Sequence, residues 1–182
     1  MDGLRPALLT EVPALNALIR ASATKLSHGY YSSPQIESLL TYVFGVDTQL
    51  ILDGTYFVIE RQGALLACGG WSGRRTLFGG DHAKDGSDLA LDPVSDAARI
   101  RAFFVHPASA RQGLGRRLLQ YCEAAARTAG FRRSELMATL PGEPLYRALG
   151  YQPLESVMYK LPDGQSVAFV RMGRSLELGG AG

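Results

Sequence analysis

Hydrophobic positions change their spacing several times along the chain, and each change marks an element. Val12, Leu15, Leu18 and Ile19 recur at helical spacing behind Thr10, a residue able to cap, with Pro13 tolerated in the first turn. A short strand near Leu4 precedes this helix. A polar stretch over 27–33, carrying Tyr30 and Tyr31, leads to a second helix that starts at Ser33 and Pro34 and gathers Ile36, Leu39, Leu40 and Val43 on one face. The period then shortens: 55–60 and 64–71 are rich in β-formers and are joined by Arg61, Gln62 and Gly63, which predicts a hairpin. Residues 73–96 hold Gly73, Gly79, Gly80, Gly86 and Pro93 and predict a long connection rather than a packed element.

The second half repeats the alternation of periods. Residues 98–106 form a central strand candidate that ends at Pro107. Leu114, Leu118, Tyr121, Cys122, Ala125, Ala126 and Ala129 then step by threes and fours in an amphipathic helix closed by Gly130, with Arg116, Arg117, Gln120, Glu123 and Arg127 outside its apolar stripe. A strand over 134–139, a short helix over 143–149 ended by Gly150, and an antiparallel pair over 154–161 and 166–170 around Asp163 and Gly164 complete the pattern. The tail over 176–182 is expected to fray.

Composition narrows the class. With 182 residues, 46% hydrophobic and 20% charged, the chain is neither disordered, collagenous nor a coiled coil. At this length about 70% of the unfolded surface can be buried, enough for one core without disulfides or metal. Cys68 and Cys122 are not in a CxxC pair and the chain has 3 histidines, so two buried thiols in the reduced cytoplasm are expected, with no metal. The N-terminus lacks the apolar run of a signal peptide, and no apolar stretch approaches the ~18 residues of a membrane span. The net charge of +2 is small but unevenly spread. Residues 99–133 carry 8 arginines against Glu123 alone, whereas 81–96 carry 5 aspartates against Lys84. A basic block beside an acidic loop suggests an anionic ligand on one side and a cationic one on the other; two solvated faces are the alternative.

The richest chemistry lies in residues 102–119, AFFVHPASARQGLGRRLL, where a strand ends, a turn holds Gly113 and Gly115, and a helix begins. Glycines let a backbone approach a ligand, and the unpaired amides and dipole of a helix start favour phosphate. Arg111 and Arg116 add positive charge. A dinucleotide fingerprint would need glycine where Leu118 stands, and a P-loop would need Lys-Ser/Thr after Gly115, where Arg116 and Arg117 follow.

What remains, V-x-P followed by R-x-G-x-G and a helix, resembles the pyrophosphate loop of the GCN5-related N-acetyltransferases (GNAT). Residues 143–151, EPLYRALGY, are similar to that family's LYxxLGF motif, and the order of elements before both blocks also matches. The resemblance implies a single α/β domain over 1–182, with a mixed, mostly antiparallel sheet flanked by helices. It implies acetyl-CoA as co-substrate and acetyl transfer to a primary amine, of a small molecule or peptide, by direct attack. The main chain of Phe103, Phe104 and Val105 would pair with the pantetheine arm in a gap where the central strand bulges from its neighbour. Arg111, Gln112, Gly113, Leu114, Gly115 and Arg116 would cradle the pyrophosphate. Thr139 stands where many members have an asparagine that contacts the cofactor, and Ala110 where the family often has Arg or Gln. Tyr146 matches the tyrosine that protonates the departing thiolate, a task suited to a phenol of ordinary pKa ~10.

The central strand offers Arg99 and Arg101 where a carboxylate base could stand, so the base must come from elsewhere. Glu135, one residue out of the family spacing, His82 and Asp81 are candidates, with a water relay as the alternative. Tyr30, Tyr31, Trp71 and the loop aspartates, Asp81 first, are candidates for holding a cationic amine. No nucleic-acid or membrane partner is expected, and a homodimer stays open. A non-catalytic acyl-CoA binding module is the rival from another class.

Overall fold

The computed structural model describes residues 2–84, 86 and 88–177. Its elements run β1 (Gly3–Pro6), α1 (Val12–Leu26), α2 (Ser33–Tyr42), α3 (Thr48–Leu52), β2 (Tyr56–Arg61), β3 (Ala64–Ser72), β4 (Ala98–Val105), α4 (Leu114–Thr128), β5 (Arg133–Thr139), α5 (Glu143–Ala148), β6 (Gln152–Lys160) and β7 (Ser166–Ser175). The strands form one sheet in the order β1-β2-β3-β4-β5-β7-β6. Every neighbouring pair is antiparallel except β4 and β5. The expected α/β class, a mixed and mostly antiparallel sheet flanked by helices, is the observed one.

Both faces of the sheet are covered, and side-chain alternation divides the core. Along β2, Phe57 and Ile59 join Leu118, Leu119, Cys122 and Ala126 of α4. Tyr56 and Val58 face the other way, onto Leu15, Leu18 and Ile19 of α1 and Leu50 of α3. A third cluster joins Ile36 and Leu39 of α2 and the following Val43 to Leu161, Val167 and Phe169 of the C-terminal hairpin. The β2–β3 hairpin closes on Gln62 and Gly63 at φ 52° and 82°, the two left-handed residues of a type I′ turn.

Several boundaries differ from the sequence reading. Thr10 does not cap α1; a 3-10 turn over Leu9–Glu11 intervenes, and Glu11 accepts from the Leu8 amide at 2.8 Å while Arg5 holds its carboxylate at 2.6 Å. Ser32 rather than Ser33 caps α2, its hydroxyl accepting from the Gln35 amide at 3.3 Å. The short helix α3, started by the Asp47 side chain, has too few turns to show a period in the sequence. In α4, Glu123 is buried and Tyr121 exposed, the reverse of the amphipathic reading. Two polar partners compensate Glu123: it accepts from the Tyr151 hydroxyl at 3.0 Å and pairs with Arg174 at 3.2 Å. Leu176 is buried and its amide donates to the Arg132 carbonyl at 2.8 Å, so the expected fraying does not begin at 176; residues 178–182 lie outside the described residues.

The connection over 73–96 is irregular yet anchored. It folds back on itself through a bridge between Arg74 and Ala90. Asp53 pairs with Arg74 at 2.7 Å, and the Asp88 carboxylate accepts from the Thr76 amide at 2.8 Å.

The centre of the sheet carries the main irregularity. Opposite Gly69, β4 inserts one extra residue: Arg101 pairs with Gly70, but Phe104 already pairs with Cys68. Ala102 sits there at φ 55°, a left-handed conformation that is uncommon outside glycine. The insertion reverses the facing of the strand. Ala98 and Ile100 face α4 before it, whereas Phe103 and Val105 face α4 after it. Glycine at 69 is required because an added Cβ would meet the Phe103 ring at 2.7 Å, and at 70 because it would collide with the Thr55 carbonyl.

The Thr55 carbonyl belongs to the backbone and cannot swing aside, so Gly70→Ala should destabilise the fold by about 3 kcal/mol, at the upper end of overpacking costs. Gly54→Ala, strained only by φ 70° in open space, should cost about 1 kcal/mol. Urea unfolding midpoints of the two variants check the order.

Candidate active site

Parallel pairing of β4 with β5 stops after Ala98–Ser134 and Arg99–Glu135. Beyond that point the strands part, and a cleft of about 740 Å³ opens between Ile100–Val105 on one side and Leu136, Met137 and Thr139 on the other. Main-chain groups on this edge of β4 have no strand to pair with.

One end of the cleft reaches the turn before α4. Arg111 at φ 65° and Gly113 at φ 80° curl the backbone. The first bond into the helix runs from the Arg117 amide to the Gly113 carbonyl at 3.0 Å, which leaves the amides of Leu114, Gly115 and Arg116 undonated within the helix. The two glycines have separate roles. Gly113 supplies the left-handed N-cap and has open space where a Cβ would go; at Gly115 a Cβ would approach Leu145 of α5 at 3.0 Å, so that glycine lets the two helices meet. Arg111, Gly113, Gly115 and Arg116 all line the cleft. Free amides, a helix dipole and two exposed guanidiniums suit a di-anion such as a pyrophosphate. The fit for the acyl-CoA cofactor therefore rests on donor groups present in this chain.

Midway along, α5 places Tyr146 against the cleft. Its ring packs edge-on to Tyr151 at 5.8 Å, and burial, followed by the neighbouring Cys122, pushes its pKa well above the ordinary phenol range. Among the described residues no group hydrogen-bonds its hydroxyl. Thr139 also lines the cleft, where its hydroxyl accepts from the Gly142 amide at 3.2 Å.

The other candidates distribute unevenly. Tyr30 lines the cleft and is exposed. Tyr31 does not: its buried hydroxyl donates to the Ala168 carbonyl at 2.6 Å and accepts from the Leu140 amide at 2.9 Å, tying the α1–α2 connection to the sheet. Trp71 is buried on the α4 face, 6.0 Å from Phe131, because its strand parity points it away from the cleft. Glu135 is bridged by Arg99 at 2.8 Å and Arg171 at 2.7 Å, on the part of β5 that is still paired, and is not at the cleft. His82 packs against Gly45 outside the lining, and Asp81 accepts from the Thr48 amide at 2.9 Å. Asp92 and Asp96 cap their own turn, Asp92 accepting from the Val94 amide and Asp96 from the Asp92 amide. Asp85 lies outside the described residues. Among the described residues the cleft lining includes no aspartate, glutamate or histidine.

The residue that sequence reasoning underrated is Arg101. Only 2% exposed, it pairs with Asp47 at 2.9 Å and donates to the carbonyls of Gly79 at 2.6 Å and Thr76 at 3.2 Å. Lys84 meets Asp47 from the opposite side at 2.6 Å, and Asp88 lies 3.7 Å from Lys84. The cluster fastens the 73–96 connection over the far end of the cleft, where Phe44, Leu77 and Phe78 line it. The available signal was an arginine at the centre of an apolar strand, a position seldom filled unless the charge is paired.

A sheet split between β4 and β5, with amides free to donate at one end of the split, is the arrangement that the sequence resemblance to an acyl-CoA-dependent transferase implies. The sequence matches the family model described as acetyltransferase (GNAT) domain over residues 53–153, and the chain belongs to this family. A comparison with curated proteins finds no match. The fold is similar to a GCN5-related N-acetyltransferase from Rhodopseudomonas palustris, with TM-score 0.72 and 19% identity over 96% of each chain. It is also similar to yncA from Salmonella typhimurium, solved with its cofactor acetyl-CoA, with TM-score 0.64 and 16% identity over 100% of this chain and 98% of that one. A third is the paia N-acetyltransferase from Thermoplasma acidophilum in complex with coenzyme A, with TM-score 0.64 and 13% identity over 96% and 99%. At these identities the likeness is one of fold.

Arg101→Met leaves the buried Asp47 with Lys84 as its remaining cation and takes the donor from the Thr76 and Gly79 carbonyls, so it should cost about 3 kcal/mol, the low end for breaking a buried pair. Chemical denaturation of the variant measures the loss.

Proposed function

We propose that the chain transfers the acetyl group of acetyl-CoA to a primary amine by direct attack, acting as one N-acetyltransferase domain. The observation that carries this reading is the continuous path from the undonated amides at the start of α4, along the unpaired edge of β4, to the unpartnered hydroxyl of Tyr146. Acetyl-CoA, when bound, supplies the acetyl group as a thioester. Residues 111–116 hold its pyrophosphate through backbone amides, with Arg111 and Arg116 adding charge. Phe103, Phe104 and Val105 would offer main-chain partners to the pantetheine arm, Thr139 would lend a hydroxyl, and an amide near Val105 would stabilise the oxyanion that develops on attack.

The chemical step forms a bond from the amine nitrogen to the acyl carbon and breaks the carbon–sulfur bond. Tyr146 gives its proton to the departing thiolate and is reprotonated by the proton that the attacking nitrogen sheds on becoming an amide; its raised pKa keeps the phenol protonated at neutral pH. The proton of the incoming ammonium leaves to solvent, since Glu135, His82 and Asp81 are engaged or packed away from the cleft. Most of the rate then comes from holding the two reactants together. Two buried free thiols support a cytoplasmic site of action.

One observation favours a second reading. A cleft without a carboxylate or imidazole in its described lining would also suit a module that binds acyl-CoA without turnover. Release of free thiol from acetyl-CoA across a panel of amines separates the two, because only the enzyme releases it in an amine-dependent way. Nucleic-acid binding by the arginine-rich block is opposed by the arginines themselves: Arg99 and Arg101 sit in ion pairs, Arg117 donates to the Asp2 carbonyl and Arg133 to the Ser95 carbonyl.

Gly113→Glu should abolish acetyl-CoA binding by bulk and like charge, a loss that calorimetry on the folded variant detects. Tyr146→Phe should keep binding intact and lower turnover ~10²-fold, the low end for losing a general acid. Full turnover in that variant would reduce Tyr146 to a packing residue.

A further inference from the structure

The end of the cleft remote from the α4 turn is chemically unlike what the acidic loop led one to expect. Its wall is built by Leu26 of α1, Val43 and Phe44 after α2, Leu77 and Phe78 of the 73–96 connection, and Phe169 of β7. Phe44 stands edge-on to Phe104 at 5.4 Å, and Phe78 lies 5.6 Å from Phe169, so aromatic rings bound the space from two directions. Phe44, Leu77 and Phe78 are half-buried, leaving part of each side chain free to meet a ligand.

Charge at this end is already balanced. Arg101 and Lys84 supply two cations, Asp47 and Asp88 two anions, and Asp47 is 1% exposed. The described aspartates of the loop accept from backbone amides or pair with Lys84 rather than face the cleft. A second ammonium carried into this end would lose its water beside a guanidinium and find no carboxylate in return. An alkyl or aryl group would lose water at no such cost and gain contact with the rings.

Resting on the acetyltransferase reading, we infer that the acceptor is a primary amine on an apolar body, alkyl or aryl, and that polyamines and other polycations are excluded. The same surroundings account for the missing base. An ammonium entering this apolar pocket, where every described charge is already paired, is disfavoured by desolvation, which favours release of its proton to solvent before attack. The wall that selects the acceptor thereby also delivers it in the nucleophilic, neutral form.

Hexylamine and cadaverine test this directly, because they are nearly isosteric and differ by a methyl against an ammonium at the far end. With acetyl-CoA as donor, kcat/KM for hexylamine should exceed that for cadaverine by at least about 10-fold, the scale of one hydrophobic-pocket contact. Phenethylamine should behave like hexylamine. Phe78→Ala should raise the KM for hexylamine about 10-fold and leave the KM for acetyl-CoA unchanged, and Phe78→Asp should narrow the gap between the two amines. Cadaverine or spermidine turned over as well as hexylamine by the unaltered protein would overturn the inference while leaving the acetyltransferase reading intact. So would equal use of the two amines combined with faster transfer from hexanoyl-CoA, which would assign the apolar wall to the acyl chain. Acetyl-CoA binding without turnover of any amine would instead remove the acetyltransferase reading, and the inference with it.

Discussion

Between Arg99 and Phe103 the backbone of β4 loses one neighbour and gains one residue, and the rest of the molecule is arranged around that stretch. Once pairing with β5 ends, the edge of β4 needs other partners, and the resulting gap is the cleft. The inserted residue at Ala102 then reverses the strand's facing, so that Arg101 and Phe104 lie on the α1 side while Ile100 and Phe103 lie on the α4 side. A regular strand would keep its β5 neighbour and would bury Phe104 where Phe103 now sits. Gly69 and Gly70 on β3 give the backbone room that this irregularity requires. The cost of a left-handed alanine, about 1–2 kcal/mol, is offset by the packing that both faces regain beyond it.

The buried cluster around Arg101 follows from the same reversal. An arginine on that face would be untenable without Asp47, and Asp47 would be untenable without Arg101 and Lys84, since each is almost fully removed from water. Such a cluster adds little net stability compared with an apolar replacement, but it selects one arrangement of the segments it joins. Here it fastens the α2–α3 turn to the 73–96 connection, by way of the Gly79 and Thr76 carbonyls, and so supports the aromatic wall of the cleft.

In the proposed function, proton handling is divided between the two ends of the reaction. Burial raises the pKa of Tyr146, and on that reading the phenol would hold a proton ready for the leaving group. On the proposed acceptor side the surroundings would disfavour a cation, so a protein carboxylate would have no necessary part. Glu135 illustrates the distinction: its carboxylate stabilises the paired base of β4 and β5 through two arginines, which keeps the origin of the split closed.

Much of this was legible from residue order alone. The periods of three and four in α1, α2 and α4, the Gln62-Gly63 turn, and the spaced glycines before α4 are local signals, and each rests on backbone geometry that neighbours in sequence determine. The two blocks at 102–119 and 143–151 carried the family for the same reason. The tertiary structure decided which face of a strand each side chain meets and which charges share a cavity. Trp71, Tyr31 and Glu135 have chemistry suited to a site but turn elsewhere because of strand parity or a distant partner. The aspartates of 81–96 look like a lure for cations in sequence, yet Asp81, Asp88, Asp92 and Asp96 accept from amides 2 to 33 residues away. Glu123 falls outside the apolar stripe of α4 but is buried because Tyr151 and Arg174, 28 and 51 positions along the chain, arrive to compensate it. Composition specifies which groups a chain carries, and only long-range packing specifies which of them are left free for a ligand.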